Sequence, residues 1–121
     1  MGQKYMNELI KETINSYNEY LMRIPSGCQK IADDIRQDNL KSAFTGILHF
    51  SEGASWMINT NKLLEQNSIT NPINPEKIHE FLEEVNNGLE IQDYVIVADM
   101  FEYEIKVFFE ECSLYEISEV Q

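Results

Sequence analysis

Basic side chains are scarce in this chain. Nine Lys and Arg stand against 21 Asp and Glu in 121 residues, for a formal net charge of −12. Nucleic acid is therefore not an expected partner, because phosphate neutralisation needs clustered cations. An anionic membrane surface is opposed for the same reason. Cysteine is nearly lacking as well. Cys28 and Cys112 are too few for a disulfide framework, and the expectation is a reducing cytoplasm with both thiols free. No apolar run approaches the roughly 18 residues of a membrane span. No basic segment leads into an apolar stretch at the N-terminus, so no secretory signal is expected. Met1-Gly2 begins like a myristoylation signal, yet Met6 stands where Ser or Thr is required. There is no glycine-rich phosphate loop, no Walker lysine motif and no G-x-S-x-G elbow.

What is present is a strong asymmetry. From Ile78 to Gln121 there are twelve acidic residues and one basic residue, Lys106; from Met1 to Lys77 there are nine and eight. The acidic third is also the most apolar part, with Tyr94-Val95-Ile96-Val97-Ala98 continuing through Phe101, Ile105, Phe108 and Phe109. Acid and apolar surface on one segment points to a packed helix with a negative outer face.

Length and composition fit one domain over residues 1–121, with a core that needs no covalent staples. Met6, Ile10, Ile14, Tyr17, Leu21 and Ile24 recur every three or four residues, an amphipathic helix that Pro25 is expected to stop. Ser26 can cap a short second helix carrying Cys28, Ile31, Ala32 and Ile35. Residues 36–39 read as a tight turn. A long helix over 40–66 follows, with Leu40, Ala43, Ile47, Phe50, Ala54 and Ile58 on its main stripe. Gly53 beside Ala54 marks a close helix approach or a kink. Residues 67–74 form a loop, and Asn74-Pro75 reads as N-cap and first helical position. Ile78, Phe81, Leu82, Val85 and Leu89 line the next helix. Asp93 caps a last one reaching Cys112, with Tyr94, Ala98, Phe101, Ile105 and Phe108 in helical register. Residues 113–121 form a docked tail or fray. The fold class is all-α, an antiparallel bundle of four or five helices.

Placed at 100° per residue, His49, Glu52, Trp56 and Leu63 fall opposite the Ile47 stripe, and Ile96, Met100, Tyr103 and Val107 fall opposite the Phe101 stripe. Such second apolar faces are either a second core layer or a docking surface. The docking reading takes Trp56, Met100, Tyr103 and Val107 as apolar anchors and Glu102 and Glu104 as rim charges. An acidic rim would select a basic amphipathic helix. The expectation is thus a non-catalytic, adaptor-like or chaperone-like protein-binding module with no cofactor.

Two alternatives accompany it. Glu76-Lys77-Ile78-His79 has the Glu-x-x-His spacing of di-iron bundles, but no second copy exists. A metal-carboxylate enzyme would draw better on His49, Glu52, Asp99 and Glu102, if the two long helices face each other. Against that, Glu102, Lys106 and Glu110 are spaced as a solvated ladder of opposite charges. The other alternative is a symmetric homodimer closed by the same apolar face.

Two stretches carry a resemblance. Glu52-Gly53-Ala54-Ser55-Trp56-Met57 resembles the Glu-Gly-x-x-Trp segment of a group of small uncharacterised helical proteins from Gram-positive bacteria. Asp93-Tyr94-Val95, followed by Asp99-Met100-Phe101-Glu102-Tyr103-Glu104, is similar to their Asp-Tyr-Val…Asp-x-x-Glu-Tyr-Glu segment. The resemblance implies a bacterial helical domain and no activity or site residues. In size, charge and helical layout the chain is also similar to flagellar export chaperones, small acidic bundles that hold a partner helix.

Overall fold

Seven residues of the N-terminal third, Ile14, Tyr17, Leu21, Ile24, Cys28, Ile31 and Ile35, alternate in steps of three and four and are all buried. That spacing forms one straight seam. In the computed structural model, which describes residues 2–71 and 73–117, they lie on a single helix, α1 (Gly2–Arg36). The expected break at Pro25 does not occur. A proline inside a helix costs about 3 kcal/mol, whereas each large apolar side chain buried in the seam contributes about 1.5–3 kcal/mol. Cys28, Ile31 and Ile35 hold the register of Leu21 and Ile24, so breaking the helix would forfeit several such side chains.

Asp38 ends α1 in the left-handed region (φ 60), and α2 (Leu40–Gln66) begins after Asn39. α2 runs back along α1: Lys30 reaches Ser42, while Tyr17 and Tyr20 meet Trp56. The Tyr20 ring lies directly over Gly53, where any β-carbon would collide with its hydroxyl. Gly53 therefore serves close approach of the two helices. After the 67–74 loop, Asn74 accepts from the Lys77 amide at 3.2 Å and starts α3 (Pro75–Glu90) with Pro75 at its first position.

Asp93 accepts from the Ile96 amide and starts the last rod. This rod is not a uniform α-helix. α4 (Tyr94–Asp99) passes into a π-helical segment (Met100–Ile105) and continues as α5 (Lys106–Glu110). Val97, Phe101, Ile105 and Phe109, each four residues on, are all buried. Steps of four drift about 40° each around an ideal α-helix. The wider π turn absorbs that drift and keeps all four pointed at the core. There Phe101 and Phe109 meet Phe50 edge-on, at centroid distances of 5.4 and 5.8 Å.

The rod runs opposite to α1, as the contacts Arg36 to Asp99, Gln29 to Glu102 and Asn18 to Tyr115 show. The 113–117 stretch is docked. Tyr115 is buried edge-on against Tyr17, and Asn71 donates to the Ser113 carbonyl at 2.6 Å. Residues 118–121 of the expected tail lie outside the described residues. The described residues are all helix and loop, with no strand, and none of their helices is long and apolar enough to cross a membrane.

Candidate functional site

The end of α4 and the π segment bring two acidic side chains, Asp99 and Glu102, to the C-terminus of α1. Arg36, in the last turn of α1, donates to Asp99 at 2.9 Å and to Glu102 at 2.8 Å. Gln29, two turns earlier, donates to Glu102 at 2.6 Å and to Asp33 at 2.9 Å, and accepts from Lys106 at 3.0 Å. Glu102 therefore spends its charge within the protein. The Tyr103 hydroxyl, then Gln29 and Arg36, hold its carboxyl far below the usual value of 4.5, at about 2. The expected Glu102–Lys106–Glu110 ladder is replaced by this cross-helix network. The reason is geometric: Arg36 and Gln29 approach from α1 where the π turn has widened the spacing.

Tyr103 gains from the same network. It is 64% exposed, and the Arg36 guanidinium lies 5.9 Å from its ring centroid. That is within cation–π range. An exposed aromatic held in one orientation loses little freedom when a partner covers it. Val107, four residues on, is also exposed, and Glu104, Glu110 and Glu111 are exposed around the pair.

At the far end of this face the Pro25 region of α1 meets the end of α5. Met22, Pro25, Phe109, Glu110 and Leu114 line a groove of about 360 Å³ there. Met22 is 62% and Leu114 46% exposed. Pro25 contributes no backbone N–H, so α1 lacks one hydrogen bond to the Leu21 carbonyl beside this groove.

The other expected site residues are distributed differently. Met100 is 5% exposed and packs in the core, so it is not a surface anchor; at the mouth of the π segment it turns inward together with Phe101. Glu102 is held by Gln29 and Arg36 rather than standing as a free rim charge. Trp56 is half-exposed but packs on Tyr17 and Tyr20. Tyr20 and Arg36 are separated by about 24 Å along α1, so Trp56 and Tyr103 do not share one groove.

His49, Glu52, Asp99 and Glu102 do not converge. His49 lines the seam between α1 and α2, whereas Asp99 and Glu102 clamp Arg36 on the other flank of α1. Among the described residues no three His, Cys, Asp or Glu side chains stand together in a metal-holding group. Burial pushes the Cys28 thiol up to about 12, which removes it as a nucleophile at neutral pH. Arg36, Gln29, Met22, Pro25 and Leu114 were not expected at a site. Only Met22 carried a local signal, an apolar residue on the polar back of its helix.

No curated protein and no solved structure matches the chain. Residues 12–114 match the model of a family described as a domain of unknown function, which takes in every helix here except the first turns of α1. The chain therefore belongs to the DUF8042 family.

Proposed function

We propose that this protein is a non-catalytic binding module of the bacterial cytoplasm, adaptor-like or chaperone-like, which holds a basic amphipathic helix on an antiparallel helical bundle. The observation that carries the reading is the face of the last rod: Tyr103 and Val107 exposed, one helical turn apart, among Glu104, Glu110 and Glu111. Tyr is favoured at interface hot spots, and an acidic rim steers and selects a cationic partner. The groove beside Met22 and Leu114 extends the apolar track and would take a further anchor of the same helix. A second copy of this chain is a poorer occupant, because a symmetric contact would set the same glutamates of two copies against each other.

The test is affinity capture from native cytoplasm with the wild type, Val107→Asp and Met22→Asp, with helix content checked by circular dichroism. One stoichiometric partner, lost with either variant and weakened by salt, supports the reading. A partner retained by both folded variants, or none above background, removes it.

A further inference from the structure

On the opposite flank of α1 a groove runs along the α1–α2 seam, and its charge is the reverse of the molecule's. Three of the nine Lys and Arg residues, Arg23, Lys30 and Lys41, line it together with His49. Among the described residues Asp34 is its one carboxylate, and the Asp34 Oδ2 already accepts from Lys30 at 2.7 Å and Ser42 at 2.8 Å. Among the described residues neither Arg23 nor Lys41 is in an ion pair. The groove has two parts that share His49. One is an open trough of about 500 Å³ between Lys41 and Lys30. The other is an apolar notch of about 230 Å³, walled by Ile24, Cys28, Ile31 and Phe50. The notch is open at Gly27, where an added β-carbon would meet nothing within 4 Å.

We propose that this groove binds a small amphiphilic carboxylate, with its apolar body in the notch and its head beside Arg23 and His49, at the rim shared with the trough. A cavity of about 150 Å³ holds a benzene ring, so by proportion the notch takes about nine carbons. The cationic rim decides the sign of the head. In a chain with 21 carboxylates, a groove with two uncompensated cations and one neutralised acid selects anions locally. This inference does not depend on the protein-binding reading, which uses the other flank of α1.

Sodium nonanoate, titrated into the full chain and followed by amide chemical shifts, tests it. Nonyltrimethylammonium supplies the same tail with the opposite head. The expected result is saturable binding of nonanoate with shifts at Gly27, Gly46 and His49, and at least tenfold weaker binding of the cation. Gly27→Leu should fill the notch and abolish binding with the melting temperature unchanged or raised, since leucine is the better helix former. The exposed Arg23→Glu substitution should weaken nonanoate at least fivefold and leave the fold intact. No saturable shift, equal binding of the two heads, or full affinity in Arg23→Glu overturns the proposal.

Discussion

Asn18 and Tyr115 exchange two hydrogen bonds, each of 2.9 Å: the Asn18 amide donates to the Tyr115 carbonyl, and the Tyr115 backbone N–H donates to the Asn18 side-chain oxygen. One polar side chain on α1 thus replaces a missing helical turn for the chain after α5. It holds Tyr115 against Tyr17, while Asn61 donates to the Tyr115 hydroxyl at 2.6 Å. Asn18→Ala leaves both backbone groups of a buried residue without that partner. We expect a loss of about 2–3 kcal/mol, read from the urea midpoint, with exchange protection lost first at residues 113–117.

Met100→Asp separates core from surface. A carboxylate buried at this position loses its hydration, and the expected destabilisation is about 4 kcal/mol or more. Circular dichroism should show loss of the cooperative transition. Val107→Asp, on the exposed side of the same rod, should move the midpoint by less than about 0.5 kcal/mol. Similar effects of the two would contradict the inward turn at the π segment.

The Glu102 network makes stability depend on acid. Its carboxyl titrates at about 2 in the folded protein and near 4.5 when unpaired, so the unfolded chain binds more protons in between. The contribution is fully present above about pH 4.5 and is lost as pH falls towards 2. Lys30 and Ser42 also hold the Asp34 carboxyl low, which adds a slope of the same sign. Urea midpoints measured from pH 6 to pH 2 should fall for the wild type and fall less steeply for Glu102→Gln. An unchanged slope in that variant would show that Glu102 does not stand in the network.

Gly53→Ala should destabilise the protein even though alanine favours helix by about 1 kcal/mol. The new methyl would occupy the place of the Tyr20 hydroxyl and push the ring off Trp56. We expect a net loss of about 1–2 kcal/mol. In a Tyr20→Ala background the same substitution should become neutral or stabilising, and a double-mutant cycle reads the coupling.

The two thiols differ in access. Burial holds the Cys28 thiol at about 12 and raises Cys112 above its ordinary value. Cys28 should react with an aromatic disulfide at pH 8 only at the rate of global unfolding, whereas the half-buried Cys112 should react earlier. Rapid labelling of Cys28 in folded protein would contradict its place in the core seam.

The residues themselves determined much of this protein. The 40–66 helix, the Asn74-Pro75 start and the Asp93 cap are local: a cap needs one side-chain oxygen near an amide three residues on, and apolar periodicity over seven turns outweighs two glycines. All-helical character follows from the same local patterns. Continuity through Pro25 was not local. It depends on α1 having partners on both flanks, so that seam burial exceeds the cost of a lost hydrogen bond. The inward turn of Met100 was equally hidden, because a strict 100° advance does not hold where the turn widens to π. The partners of Glu102 were also out of reach of spacing rules. Lys106 stands four residues away in sequence, but Arg36 and Gln29 reach the carboxylate from another helix. Charge pairing across helices is decided by which flanks face each other, and packing of whole side-chain seams decides that.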